Sequence, residues 1–145
     1  MRNQKKHDEQ CALMQISLPL SVQISRDKKF ILNLNNYRNA HFQVLNKAKK
    51  LYAEQVFLAL GKHRFYGGCQ ITYTLYQPTN RRVDVSNPLS IIDKFACDAL
   101  VHLGVLPDDD TKHIPAVIFM WGGVDGNNPR VEMEIMEEIQ STTAS

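Results

Sequence analysis

The run Gly67-Gly68-Cys69-Gln70-Ile71-Thr72-Tyr73-Thr74-Leu75-Tyr76-Gln77-Pro78 is followed by Ser86-Asn87-Pro88-Leu89-Ser90-Ile91-Ile92-Asp93-Lys94-Phe95-Ala96-Cys97-Asp98-Ala99-Leu100, and the hydrophobic period changes between them. In the first run Ile71, Tyr73 and Leu75 alternate with Thr72, Thr74 and Tyr76, the period of a strand with one buried face, and Pro78 ends it. In the second, Leu89, Ile92, Ala96, Ala99 and Leu103 recur at three and four, the period of a helix. Ser86 or Asn87 reads as its cap and Pro88 suits its first turn. Gly104 and Pro107 mark its stop, so a helix is expected from Pro88 to Leu103.

Toward the N-terminus, Met14, Ile16, Leu18 and Leu20 alternate with Gln15, Ser17 and Pro19, which predicts a strand, and a second short strand is expected over Phe30 to Leu34. From Arg38 to Leu60 the apolar residues fall at helical spacing with Lys47, Lys49, Lys50 and Glu54 mostly between them, a long amphipathic helix stopped by Gly61. Toward the C-terminus, Ala116 to Trp121 and Val131 to Ile135 read as strands joined across Gly122-Gly123-Val124-Asp125-Gly126-Asn127-Asn128 as a hairpin. The expected order is strand, strand, helix, strand, helix, strand, strand. That order favours an α+β domain with a mixed β-sheet and two main helices on one face.

A chain of 145 residues, 43% hydrophobic and 22% charged, is the size and composition of one soluble domain. We place that domain at residues 11–140, with polar and loose ends at 1–10 and 141–145. Cys11, Cys69 and Cys97 are odd in number and contain no CxxC pair, which argues against a disulfide framework or a zinc site. The early apolar stretch is broken by Gln15, Ser17 and Pro19 too soon for a signal peptide or a membrane span, so a cytoplasmic protein with no membrane attachment is expected. With a formal net charge of only +2, any affinity for nucleic acid must come from uneven placement of Lys and Arg.

The chemistry concentrates in Arg81-Arg82-Val83-Asp84-Val85-Ser86-Asn87, in the helix with Asp93, Lys94 and Asp98, and in Gly104-Val105-Leu106-Pro107-Asp108-Asp109-Asp110. Asn87, Ser90, Lys94 and Asp98 share one outward ridge. Clustered aspartates offer hard oxygen ligands for Mg²⁺ or Mn²⁺, a lysine beside them neutralises phosphate charge, and Arg81 and Arg82 can grip phosphate. The same residues also read as a solvated turn after Pro107 and an exposed Lys94–Asp98 pair. A helix of this length spans roughly 24 Å, so Asp84 and Asp109 cannot meet along one rod. Either a symmetric dimer or a loop folding back along the helix must close the gap.

The pattern Arg-Arg-x-Asp-x-x-Asn, then Lys-x-x-x-Asp-Ala-Leu, then Gly-Val-x-x-Asp-Asp resembles the RusA-type Holliday junction resolvases, in particular the forms carried by phages and prophages. The resemblance extends to Leu32-Asn33-Leu34-Asn35-Asn36-Tyr37 and to Arg130-Val131-Glu132-Met133-Glu134-Ile135. It implies a RusA-like fold and a homodimeric, Mg²⁺-dependent endodeoxyribonuclease that nicks opposing strands of a four-way DNA junction in recombination and repair. Asp84 and Asp109 would be its metal-binding catalytic carboxylates, Asp108 their acidic neighbour and Lys94 the phosphate-facing lysine, with Asn87 and Asp98 in support. Ser86 stands where the family carries a second carboxylate, and extra residues separate Asn87 from Lys94. If these add a helical turn, Asp93 or Asp98 supplies the missing oxygen and Asp98 joins the metal ligands. A protein that binds junctions without cutting them, and a less selective metal-dependent nuclease, are the alternatives.

Lys47, Lys49 and Lys50 are secondary candidates for the DNA footprint, with Lys47 and Lys50 placed in it. The five histidines show no close ligand spacing and are assigned no chemistry. Tyr73, Tyr76, Phe119 and Trp121 are expected to fill the core rather than stack on bases.

Overall fold

The computed structural model describes residues 11–60 and 63–138. The expectations for 1–10, for Gly61 and for 141–145 lie outside the described residues. Strand β1 (Cys11–Leu18) is followed by the short strands β2 (Ser21–Gln23) and β3 (Lys29–Ile31), helices α1 (Leu34–Asn39) and α2 (Phe42–Leu60), and strand β4 (Cys69–Gln77). Helix α3 (Ser86–His102) and strands β5 (Ala116–Val124) and β6 (Arg130–Glu138) complete the order.

Four strands form a mixed sheet in the order β1-β6-β4-β5, and β2 pairs with β3 separately. The alternation decides which face is covered. Met14, Ile16 and Leu18 of β1, Ile71, Tyr73 and Leu75 of β4, and Val131, Met133 and Ile135 of β6 are all buried. They stand in register, with Ile71 opposite Ile135 and Tyr73 opposite Met133. The opposite face is polar: Gln15 donates to Glu134 and Ser17 to Glu132. The α+β class and the mixed sheet with helices on one face are therefore as expected from the sequence.

Three local readings are corrected. The long helix expected from Arg38 is two helices, because Ala40 is extended (φ −77°, ψ 144°) and Asn33 caps a separate α1 through Asn36 N–H. Leu34, expected in a strand, opens that helix. Strands β5 and β6 are not a hairpin, since β4 lies between them, parallel to β5 and antiparallel to β6. The turn-rich link makes that crossing, and the pair β4 and β5 is joined through α3, as parallel strands require.

Phe95 of α3 sits at the centre of the helical layer, 1% exposed. Its ring stacks on Phe30 of β3 and meets Tyr52 of α2 and Tyr37 of α1 edge-on. This packing fixes the rotation of α3, and with it the outward ridge on which Ser90, Lys94 and Asp98 stand.

Candidate functional site

Asp84 stands two residues before the start of α3, and its Oδ1 accepts from the backbone N–H of Ser86 at 3.1 Å and from Ser86 Oγ at 2.9 Å. The capping position falls on Val85, which makes no side-chain cap hydrogen bond, rather than on Ser86 or Asn87 as expected, and Ser86 serves as a donor to the Asp84 carboxylate. Asn87 accepts through Oδ1 from Leu34 N–H at 2.9 Å, which ties the start of α3 to the start of α1. Asp84 lines a pocket with Arg81, Arg82, Asn80, Gln77 and Trp121. Gln77, only 7% exposed, organises this pocket: its amide donates to Arg81 C=O at 3.0 Å and its oxygen accepts from Trp121 Nε1 at 2.6 Å. That role is not legible along the chain, since a glutamine at a strand end is ordinary.

At the other end of α3, Leu103 keeps helical geometry and Gly104 (φ +76°) turns the chain in the left-handed conformation a glycine tolerates. Val105 and Leu106 then dive into the core, and both N–H groups donate to Leu100 C=O. That anchor sends the acidic loop back along the helix. Asp109 comes to line a cleft of about 340 Å³ with Asp93, Lys94, Cys97 and Asp98 of α3, Lys49 of α2 and Tyr37 of α1. Of the two routes open to the sequence, the fold-back loop brings Asp109 to the middle of α3. Asp84 lines a different pocket.

The carboxylates of this cleft differ in their surroundings. Asp93 Oδ1 accepts from Tyr73 Oη at 2.6 Å and from Cys97 Sγ at 3.2 Å, which fixes its orientation from below. Burial, then the neighbouring Cys97 and Asp93, pushes the Tyr73 hydroxyl well above its ordinary range. Burial and Asp93 likewise push the Cys97 thiol up, so both stay protonated donors. Asp98 pairs with Lys49 Nζ at 3.5 Å, so the expected Lys94–Asp98 pair gives way to one between helices. Lys94 instead lies 5.9 Å from the centre of the Tyr37 ring. Asp109 is exposed.

Asp108 accepts from the backbone N–H of Asp109 at 2.8 Å and shapes the loop. Asp110 holds His113 through Nδ1 at 2.6 Å and the backbone N–H at 3.0 Å, and this contact holds its carboxyl below the usual range. Lys50 lines an adjoining groove of about 1090 Å³ with Phe57, Leu58, Asp98 and Asp109. That groove is the larger of the two but mostly apolar; the groups able to act on a phosphate are in the smaller cleft. Lys47 lines neither, and Lys49 is the lysine of α2 that reaches the acids. Trp121, expected in the core, is 55% exposed because β5 is an edge strand with a neighbour on one side only.

Among the described residues, no three His, Cys, Asp or Glu side chains stand close enough to hold a metal ion by themselves. The donor set is not the closed nitrogen and sulfur cage of structural zinc. Mg²⁺ needs only one or two carboxylates, with water and substrate phosphate completing its shell, and Asp93, Asp98 and Asp109 suit that requirement in donor type. Among the described residues no helix is long and apolar enough to cross a membrane. Neither a scan against protein-family models nor a search of curated proteins finds a match to this chain.

Proposed function

We propose that this protein is a cytoplasmic, metal-dependent endodeoxyribonuclease that acts on four-way and other branched DNA as a homodimer, in recombination and repair. The observation that supports this reading is the return of Asp109 onto α3, beside Asp93 and Asp98, with Lys49 and Lys94 lining the same cleft. Carboxylates and ammonium groups around one small cleft are what phosphodiester hydrolysis needs.

Lys94 and Lys49 bind the phosphate oxygens, and Lys49 exchanges its bond to Asp98 for one to DNA. Arg81 and Arg82 hold a flanking phosphate at the Asp84 pocket. Asp109 and Asp98 would hold Mg²⁺ or Mn²⁺, which supplies Lewis acidity toward the phosphoryl group. Asp93, whose Oδ1 is held by Tyr73, lines the same cleft. A second reading, a junction-binding protein that does not cut, is favoured by Ser86, which donates to Asp84 where a second carboxylate would stand.

Cleavage of a synthetic four-way junction in Mg²⁺ or Mn²⁺, beside linear duplex and single strands, separates these readings. Paired nicks in the junction alone, lost in Asp109→Asn, are the expected result. Metal-independent binding without cleavage would establish the second reading, and cutting of every substrate would mean a less selective nuclease.

A further inference from the structure

Strand β5 closes one edge of the sheet, so one side of its backbone pairs with β4 and the other has no strand beside it among the described residues. Edge strands are normally protected by lysine, proline, a bulge or brevity, because an open row of N–H and C=O groups templates another strand. The nine residues of β5 include no charged residue and no proline. Val117, Ile118, Met120, Trp121 and Val124 are each 39–55% exposed, although the strand is apolar throughout. The exposure affects both faces. Val117 and Trp121 lie on the side of α3, where they line the two pockets described above, and Ile118 and Met120 alternate to the open face.

One bulge is present, and it confines the regular edge. Leu75 pairs with Trp121 but Tyr76 pairs with Gly123, so Gly122 is the extra residue. A Cβ at Gly122 would lie 2.7 Å from Thr74 Cγ2 and from the Tyr76 ring, which only glycine avoids. The stretch from Ala116 to Trp121 therefore remains straight and available.

We propose that β5 is the homodimer interface, with two copies pairing antiparallel about a two-fold axis perpendicular to the sheet near Phe119. This rests on the homodimer of the reading above and adds where the copies meet. A second copy is the occupant because an antiparallel strand pair needs only the same strand twice, the self-complementary case of two-fold symmetry. Val117, Ile118, Met120 and Trp121, each 39–55% exposed, fall inside the paired stretch and would be covered together with the backbone edge, an interface at the small end of the specific class, below about 1,200 Å². Two four-stranded sheets become one of eight strands.

The axis has a consequence for the site. A two-fold perpendicular to the sheet keeps both helical layers on the same side, so both acidic clefts face one DNA. Antiparallel pairing near Phe119 sets Val117 of one copy opposite Trp121 of the other, on the same face. Val117 borders the Asp93–Asp109 cleft and Trp121 borders the Asp84 pocket. Each cleft therefore adjoins the Asp84, Arg81 and Arg82 of the partner, which joins across the dimer the two groups that α3 holds apart within one chain.

Sedimentation equilibrium on the full chain tests the interface without any DNA. The expected mass is twice the 16.6 kDa of the chain. Ile118→Lys with Met120→Lys should give a monomer with an unchanged circular dichroism spectrum, and amide exchange of residues 117–121 should rise in it. A monomeric wild type at 100 µM, or a dimer that survives the double substitution, would overturn the proposal. The readouts stay separate: a dimer without nuclease activity keeps this interface and removes the nuclease reading, and a monomer that cleaves does the reverse. Mixing Asp84→Asn with Asp109→Asn protein provides a second check, since shared sites regain cleavage in the mixed dimer.

Discussion

The hydroxyl of Tyr73, at the centre of β4, donates a 2.6 Å hydrogen bond to Oδ1 of Asp93 on α3. Tyr73 is fully buried, and the bond passes from the core of the sheet to the floor of the acidic cleft. Removal of that hydroxyl tests how far the cleft depends on orientation. Tyr73→Phe should cost about 1.5–3 kcal/mol in urea unfolding, the range for a buried bond to a charged group. In the nuclease reading it should also cut metal-dependent cleavage roughly tenfold while junction binding persists, as loss of a group that orients a ligand does. An unchanged metal titration in the folded variant would show that Asp93 is not in the site.

Asp109 and Asp110 are adjacent and should behave oppositely. Asp109 is exposed and the cleft is its principal environment, so Asp109→Asn should lower cleavage by about 100-fold or more and leave stability within ~0.5 kcal/mol. Asp110 instead holds His113 at the entrance to β5. Asp110→Asn should lower the melting temperature and leave cleavage alone. Melting curves and initial rates on the same two proteins decide this.

The lysines of α2 are separable by where they point. Lys49 reaches Asp98 across the helices, whereas Lys47 lines neither groove. Lys49→Ala should weaken junction binding and reduce the slope of log affinity against log salt by roughly one. Lys47→Ala should change neither. The exposed pair with Asp98 is worth at most about 1 kcal/mol, so Lys49→Ala should scarcely alter stability.

Stability should fall at both extremes of pH for different reasons. Burial, helped by Glu137, pushes the Cys69 thiol from 9.0 to about 11. A raised value means the folded state holds its proton longer than the unfolded chain, so the stabilisation is complete below pH 9 and is lost as pH rises toward 11. Cys69→Ala should flatten that part of a melting-temperature profile. At the acid end, Asp110 is held below 3.8 by His113, so its contribution is present above that value and disappears as pH falls through the lower one. Asp110→Asn should remove that acid component.

Much of the fold could be read along the chain. The alternation of Ile71, Tyr73 and Leu75 and the three-four spacing of Leu89, Ile92, Ala96 and Ala99 both came through as β4 and α3, because burial on one face writes its period directly into the residue types. The split between α1 and α2 was hidden, since the break at Ala40 contains neither glycine nor proline. The partners of β5 were hidden too: a turn-rich link looks the same whether it joins neighbouring strands or spans a third.

For the site, the sequence by itself determined which groups are present: Lys94, Asp93 and Asp98 on one helix, and Asp109 on the loop after it. Their types and helical offsets follow from local geometry alone. Only the tertiary structure decided which of them meet. The burial of Val105 and Leu106 returned Asp109 to α3, and Tyr73 was set under Asp93 by the pairing of β4 within the sheet. Lys49 rather than Lys94 found Asp98, because the Phe95 cluster fixes how α2 lies against α3. Contacts between residues far apart in sequence depend on packing and pairing that no local period encodes, and the separation of Asp84 from Asp109 within one chain is set at that level.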